Sequence, residues 1–323
     1  MSSEKPAALV VMSVEHWPLL FPPDVRRRLE RLVDLDGPVD RFDLDRLAEV
    51  EVLITGWGCP AVDRQVLEAA PKLRAVLHAA GSVKGHLSRE VWERGIAVST
   101  AADANAVPVA EFTLGAILLA GKGAFDLRER YRREGTFELG YIHPGVGNHG
   151  RTVGLIGASR IGRQVLDLLR PFGLRVQVYD PYAVDVPSVD LETLLSTSDI
   201  VSVHAPLTAE TQQLLGSAQL ALLRDGTTLI NTARGPIVDT EALIRELRSG
   251  RISAILDVTE PEPLPADSPL LTLPNAFVTP HIAGSHGNEL ARLGGCVTAE
   301  LERLLAGEPL RFGISATDLD HAA

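Results

Sequence analysis

The feature that most constrains the fold is an alternation of short β-branched runs with longer helical stretches. The predicted strands are 8–14, 50–55, 74–78, 152–156, 174–179, 200–204, 228–231, 252–258 and 276–279. The predicted helices between and after them are 63–70, 161–170, 191–196, 217–223, 240–249 and 288–307, with N-caps at Asp190, Ser217 and Asp239. Strands that alternate with helices in this way predict parallel sheets with crossover helices, and therefore an α/β fold.

The alternation is interrupted once. It stops near 101–108, where one long helix is predicted at 109–132 and a connecting loop at 137–150, and then it starts again. At roughly 150 residues per domain, a chain of 323 residues suggests two domains. We therefore predict one domain at 103–287 and another that joins 1–102 with the C-terminal segment 288–323.

Charge and composition exclude several classes of protein. Lys and Arg number 31 against 42 Asp and Glu, a formal charge of −11, which argues against a nucleic-acid binder and against a polybasic membrane anchor. The longest apolar run, 112–121, is shorter than the about 20 residues that span a bilayer, and no signal peptide is predicted. The two cysteines, Cys59 and Cys296, cannot form a disulfide framework and favour a cytoplasmic location.

A glycine-containing turn is the strongest local motif. Residues 152–162 read as a strand, a tight turn with Gly157, and a helix start with Gly162. In dinucleotide-binding folds these glycines allow the turn and the close packing of helix on strand, and the pyrophosphate lies at the helix N-terminus. Ser159 stands where the motif has its middle glycine. A P-loop is excluded because no Gly-Lys-Ser/Thr follows, and a nucleophile elbow is disfavoured because Ile161 replaces the required glycine.

An acidic residue follows at the distance that such folds use. The predicted strand 174–179 ends at Asp180, 18 residues after Gly162. A carboxylate there accepts hydrogen bonds from the adenosine ribose and repels a 2′-phosphate, so NAD is predicted in preference to NADP. The other interpretation is a solvated turn carboxylate in front of Pro181.

Hydride transfer to or from a nicotinamide needs an Arg, a His and a carboxylate near the carboxyl ends of parallel strands. Arg234, Glu262 and His281 each follow a predicted strand. Spacing alone does not select His281, because the chain has nine histidines and His204 also ends a strand. No set of Cys and His has the spacing of metal ligands, so no metal is predicted.

Four segments in the same order and spacing resemble the D-isomer-specific 2-hydroxyacid dehydrogenases. They are 204–208, 231–239, 256–263 and 279–284, and Asn105 with 108–111 matches the family's entry into its cofactor domain. The resemblance implies two Rossmann-like domains with an active-site cleft between them: 103–287 to bind NAD, and 1–102 with 288–323 as a discontinuous substrate domain. It also implies hydride transfer between the nicotinamide and C2 of a small 2-oxo or 2-hydroxy acid, by a homodimer.

The resemblance assigns roles to single residues. Arg234 would bind the substrate carboxylate, His281 would be the acid and base, and Glu262 would orient His281. Backbone N–H groups of Ala80, Gly81 and Ser82 would hold the carboxylate as well. The implied cofactor contacts are Gly157, Ser159, Arg160, Ile161, Gly162, Asp180, His204, Pro206, Thr211, Thr232, Ala233, Asp257 and Gly284.

Alternatives remain open at this point. One is a phosphite-type dehydrogenase of the same family, and another is an NAD(H)-responsive, corepressor-like scaffold. The chain shows no long disordered tail and no added regulatory domain, which favours a plain enzyme and disfavours a long phosphoglycerate dehydrogenase. Lys84, near the predicted carboxylate-binding turn, is either a surface lysine or a contact for a second anionic group of the substrate.

Overall fold

The computed structural model describes residues 5–135, 137 and 145–318. The chain divides into two compact units, Met1–Asn105 with Ser285–Ala323 (unit 1) and Ala106–Gly284 (unit 2). Within the predicted loop at 137–150, residues 138–144 lie outside the described residues.

Short strands and helices follow one another along both units. In chain order, the strands are β1 (Ala7–Val11), β2 (Asp34–Val39), β3 (Val52–Thr55), β4 (Ala75–His78), β5 (Ala97–Thr100), β6 (Thr152–Ile156), β7 (Arg175–Tyr179), β8 (Ile200–Val203), β9 (Thr228–Asn231), β10 (Ser253–Leu256) and β11 (Ala276–Val278). The helices are α1 (Trp17–Leu20), α2 (Pro23–Leu32), α3 (Arg64–Ala69), α4 (Glu90–Glu93), α5 (Ala102–Gly121), α6 (Ala124–Glu134), α7 (Arg160–Leu169), α8 (Leu191–Thr197), α9 (Ser217–Leu222), α10 (Thr240–Arg248) and α11 (Leu290–Leu305).

Unit 1 contains a five-stranded parallel sheet in the order β2-β1-β3-β4-β5. The alternation of side chains along β1 sends Ala8 and Val10 to one face and Leu9 and Val11 to the other, and all four are buried. Residues of α1, α2 and α11 complete the first core, and residues of α3 and α4 complete the second. Both faces are therefore covered, as parallel sheets require.

Unit 2 contains a six-stranded parallel sheet in the order β11-β10-β9-β8-β6-β7. Residues of α5 and α7 pack on one face and residues of α8, α9 and α10 on the other. Since β7 is added on one side of β6 and β8 on the other, the strand order reverses between β6 and β8. Ligands of such sheets bind outside the carboxyl ends at this switch point. The prediction of two Rossmann-like units with parallel sheets is confirmed.

Helix α5 is long and apolar enough to cross a membrane when judged by length and composition alone. A core helix passes the same test, and Ala110 and Ile117 of α5 are fully buried in a core of unit 2.

Several local predictions need correction. The single helix predicted at 109–132 is wrong, because α5 and α6 are separated at Gly123, whose φ of +62° ends one helix and begins another. The predicted cap at Ser217 is also wrong, since Gly216 is the N-cap of α9. The caps at Asp190 and Asp239 are confirmed by hydrogen bonds from Thr193 N (2.7 Å) and Ala242 N (3.0 Å).

Candidate active site

The glycine turn lies at the switch point of the unit 2 sheet. Gly157 follows β6 with φ +98°, and a Cβ there would lie 2.6 Å from the main-chain nitrogen of Ala205, after β8. A Cβ at Gly162 would lie 2.1 Å from the carbonyl oxygen of Gly157. Only glycine is therefore compatible with the approach of the turn to the β8 loop and of α7 to the turn.

Ser159 takes the middle position of the motif without strain. It is the N-cap residue of α7 with φ −77° and ψ −157°, an extended backbone that any residue adopts. Its hydroxyl does not cap the helix and donates instead to the carbonyl oxygen of His204 at 3.3 Å. The first turn of α7, which contains Arg160 and Ile161, is thus left uncapped by Ser159, as anion binding at a helix N-terminus requires.

Asp180 is tied to the same turn. One carboxylate oxygen accepts from Ala158 N–H at 2.7 Å, and the other accepts from the N–H groups of Tyr182 (2.8 Å) and Ala183 (3.1 Å). A carboxylate has about four lone-pair sites, so capacity remains for a further donor. Asp180 therefore has features of both interpretations of the sequence. It caps its own turn, as a turn carboxylate does, and it also lies against the glycine turn, as a cofactor-binding carboxylate would.

At the end of β8, His204 is a buried, neutral histidine. Its Nε2 lies 2.9 Å from Ser202 Oγ, and burial lowers the pKa of His204 to about 4. Its main chain lies against the glycine turn. In the same loop, the Thr211 hydroxyl donates to the carbonyl oxygen of Pro206 at 2.5 Å and fixes the loop's shape.

The loop that carries Arg234 begins directly after β9. Asn231 closes it with two hydrogen bonds, accepting from Ala233 N–H at 3.0 Å and donating to the Arg234 carbonyl at 2.9 Å. A Cβ at Gly235 would lie 1.9 Å from the carbonyl oxygen of Thr259, so the loop packs against the one that follows β10. Asn231 was assigned no role from the sequence. Asn at the start of a loop often accepts a hydrogen bond from the N–H two residues later, a typical Asx turn, and this was the available signal.

The predicted catalytic side chains come together on the loops after three neighbouring strands, β9, β10 and β11. His281 Nδ1 lies 2.6 Å from Glu262 Oε1, and both side chains are about half exposed. Arg234 is partly buried, and burial lowers its pKa while the nearby Glu262 carboxylate raises it. Arg234 still carries its charge, because a guanidinium stays protonated in proteins.

Asp257 holds the His281 loop in place. This buried carboxylate accepts from the hydroxyl of Thr279 (2.6 Å) and from the N–H groups of Ile282 (2.8 Å) and Ala283 (2.9 Å). Asp257 was predicted as a cofactor contact. The sequence carried no sign that it also holds a loop whose residues lie more than 20 positions further along the chain. The loop ends at Gly284, the last residue of unit 2.

In unit 1, the loop 79–85 follows β4, and we call it the β4 loop. Ala80 is buried, whereas Gly81 and Ser82 are partly exposed. Within the part of the chain that the structure describes, the N–H groups of Gly81, Ser82 and Val83 donate to no acceptor. The N–H of Lys84 donates to Ser82 Oγ at 3.3 Å. Successive unpaired N–H groups form a concave site suited to an anion.

Two further predicted contacts are buried residues of the Arg234 loop itself. Thr232 is buried with its hydroxyl 3.0 Å from that of Thr113 on α5, and Ala233 is buried beside it. Among the described residues, no group of three or more His, Cys, Asp or Glu side chains is placed to hold a metal ion.

Comparisons of sequence and structure show which known proteins this chain resembles. The sequence profile of the D-isomer specific 2-hydroxyacid dehydrogenase NAD binding domain matches residues 114–283. A glyoxylate reductase of Korarchaeum cryptofilum is 35% identical over 283 residues, which cover 84% of each chain. A D-3-phosphoglycerate dehydrogenase of Methanocaldococcus jannaschii is also 35% identical, over 82% of this chain and 52% of its own length, so the chain spans about half of that relative. A phosphoglycerate oxidoreductase from Rhizobium etli has a similar structure, with a TM-score of 0.82 and 26% identity over 97% of this chain and 98% of that one.

Proposed function

The chain belongs to the family of D-isomer-specific 2-hydroxyacid dehydrogenases, and from this premise we propose that it is an NAD-dependent D-2-hydroxyacid dehydrogenase, or 2-oxoacid reductase. Relatives in this family are oxidoreductases that act on CH–OH groups. The observation that carries the proposal is the 2.6 Å contact of His281 Nδ1 with Glu262, one strand away from the partly buried Arg234.

The proposed roles follow from the charges of the three side chains. Reduction of a 2-oxo acid adds a hydride to C2 and a proton to the carbonyl oxygen, and a nicotinamide dinucleotide supplies the hydride when bound. Because Glu262 engages Nδ1 of His281, the proton moves at Nε2, which gives it in reduction and takes it back in oxidation. The guanidinium of Arg234 binds the substrate carboxylate and stabilises the negative charge that develops on the carbonyl oxygen.

The chain's own residues suit the dinucleotide. Gly157 and Gly162 leave the space that a Cβ would fill, and the N-terminus of α7 offers the positive end of a helix dipole to the pyrophosphate. Asp180 would accept from the ribose hydroxyls. The cation on the next turn of α7, Arg163, is held by Asp185 through two hydrogen bonds of 2.7 and 2.6 Å, so the proposed cofactor is NAD rather than NADP. The contacts predicted for Pro206, Thr211 and Gly284 stay predictions.

The two units have separate proposed tasks. Unit 2 would bind NAD, in line with the match over residues 114–283. Unit 1 would bind the substrate, with the N–H groups of Ala80, Gly81 and Ser82 as donors to its carboxylate. Lys84 follows them and would meet a second anionic group of a substrate that has one.

The test is the oxidation of NADH and NADPH, followed by absorbance, with glyoxylate, pyruvate, hydroxypyruvate, phenylpyruvate, 2-oxoglutarate and phosphohydroxypyruvate. We expect turnover of at least one acid with NADH and little with NADPH. Tight NADH binding without turnover of any acid would contradict the proposal and support the scaffold interpretation, and NADH formation from phosphite would support the phosphite-type one. Preference for NADPH would remove Asp180 from its role.

We also propose a cytoplasmic homodimer assembled through unit 2. The proposal is supported by helix α6, which has no buried residue, and by Leu119 on α5 and Tyr131 on α6, which are about half exposed and could contact a second copy. Both cysteines are free, as a reducing compartment requires. Light scattering on the purified protein should give twice the mass of one chain, and a monomer at micromolar concentration would contradict the dimer.

A further inference from the structure

The β4 loop is bounded by two histidines whose rings meet. His78 is the last residue of β4 and His86 follows the loop, and their ring centroids are 5.0 Å apart with the planes inclined by 35°. Both ends of the seven-residue loop are therefore joined at its base by a side-chain contact as well as by the chain itself.

The first of these rings is fixed to the neighbouring strand. Thr55 at the end of β3 is paired in register with His78, and Thr55 Oγ1 lies 2.8 Å from His78 Nδ1, with both residues buried. Burial lowers the pKa of His78 to about 3 and also lowers the pKa of His86. Both imidazoles are thus neutral near pH 7, and their packing carries no charge repulsion.

Main-chain hydrogen bonds also hold the loop and the residue before it. Ala101 N–H donates to the carbonyl oxygens of His78 (2.9 Å) and Ala80 (3.1 Å), and His86 N–H donates to that of Val83 (3.0 Å). Burial lowers the pKa of His78, and a hydrogen bond with the Ser82 main chain raises it in part. Since the carbonyl oxygens of Ala80 and Val83 accept hydrogen bonds from the chain itself, the N–H groups of the loop are left to bind an anion.

We propose that the Thr55–His78–His86 cluster positions the β4 loop for the substrate carboxylate, so that these side chains set the affinity for substrate without touching it. This inference rests on the proposed function, since the loop matters to catalysis only if a 2-oxo acid binds there. The three residues are positioning residues, and their effect belongs in the KM for the 2-oxo acid rather than in the affinity for NADH, which unit 2 is proposed to bind.

The experiment compares substitutions that remove one support at a time. Thr55→Val removes the hydroxyl at nearly constant shape, whereas Thr55→Ser keeps it. His86→Ala removes the ring, whereas His86→Phe keeps a ring that has no nitrogen. We expect Thr55→Val and His86→Ala to raise KM for the best 2-oxo acid about tenfold, equal to about 1.4 kcal/mol. Thr55→Ser and His86→Phe should stay within about threefold of wild type, and the Kd for NADH should not change in any variant.

Thr298→Val is the matched control. Thr298 is a fully buried threonine of unit 1 whose hydroxyl donates only within its own helix, to Gly294 O at 2.8 Å. It should lower the free energy of unfolding about as much as Thr55→Val does, with KM unchanged. Unchanged KM in both Thr55→Val and His86→Ala, with wild-type turnover intact, would overturn the positioning role alone. A wild-type protein without 2-oxoacid turnover would overturn the proposed function and this role together.

Discussion

His281 is held in a backbone conformation that residues other than glycine rarely adopt. Its φ is +55°, and such positions cost on the order of 1 to 3 kcal/mol. Its N–H donates to the carbonyl oxygen of Asp257 at 2.9 Å, and the Asp257 carboxylate holds the residues on either side. Strain that the surrounding structure maintains is typical of functional positions, and at His281 it presents the imidazole to Glu262.

Substitution of Arg234 should cause a large loss of catalytic efficiency. Arg234→Ala removes both the carboxylate contact and the charge that stabilises the transition state. The fall in kcat/KM for the 2-oxo acid should therefore correspond to a loss of about 3 kcal/mol or more of transition-state stabilisation. Arg234→Lys keeps the positive charge but cannot donate to the carboxylate bidentately, so its kcat/KM should fall less than that of Arg234→Ala. Steady-state kinetics with NADH measures both variants. Turnover of Arg234→Ala close to that of wild type would remove Arg234 from the site.

Ser159 should be nearly neutral for cofactor binding. Its backbone does not need glycine, and its hydroxyl is turned to the His204 carbonyl. Ser159→Gly should therefore keep the Kd for NADH within about tenfold, or about 1.4 kcal/mol, of wild type. Fluorescence titration with NADH gives this Kd, and a larger change in either direction would show that the hydroxyl meets the pyrophosphate.

Among the elements, the sequence predicted the strands whose loops carry the site and missed two strands at the edges of the unit 1 sheet, β2 and β5. Strand β2 has the sequence DLDGPV, is largely exposed and lies at the sheet edge, so its Gly and Pro read as a turn. Strand β5 has only four residues. Short, exposed or edge elements lack the apolar run that makes a central parallel strand recognisable.

The supports of the site were not predictable in the same way. The roles of Arg234, Glu262 and His281 came from motifs, and the structure brings these residues to adjacent loops. The bonds that fix the loops, from Thr279 to Asp257 and from Thr55 to His78, join residues 22 and 23 positions apart. Local pattern carries no information on such pairs until the strands are placed in register.

The glycine turn offers a matched pair of substitutions. Gly157 and Gly226 both have positive φ, but a Cβ at Gly226 meets nothing within 4 Å, whereas one at Gly157 meets main-chain atoms of the β8 loop. Gly226→Ala should cost about 1 kcal/mol of stability from backbone strain and leave NADH binding intact. Gly157→Ala should cost roughly 3 kcal/mol and abolish NADH binding. Urea unfolding and NADH titration test both, and equal behaviour of the two variants would contradict the account.

At the scale of the whole molecule, two buried histidines, one in each unit, couple stability to pH. Burial lowers the pKa of His78 to about 3 and that of His204 to about 4, against 6.5 in the unfolded chain. Between these values the unfolded state binds more protons, so the free energy of unfolding falls as pH drops below about 6.5. By about pH 4.5 the loss should be roughly 2 to 3 kcal/mol for each histidine.

Urea unfolding at pH 7 and at about pH 4.5 measures this dependence. His78→Asn and His204→Asn each remove one titrating group, so each should be less sensitive to acid than wild type, whatever its stability at pH 7. A pH dependence that is identical in wild type and both variants would show that neither histidine is the source.

In the proposed mechanism, His281, oriented by Glu262, moves the substrate proton. The most direct test is the pH dependence of NADH-driven 2-oxoacid reduction in wild type and in His281→Ala, with NADH binding measured alongside. We expect wild-type reduction to fall as pH rises, because reduction requires an acid to give the proton. The variant should bind NADH normally, turn over far more slowly and lose this dependence. A profile that is flat across neutral pH and identical in the two proteins would contradict the claim.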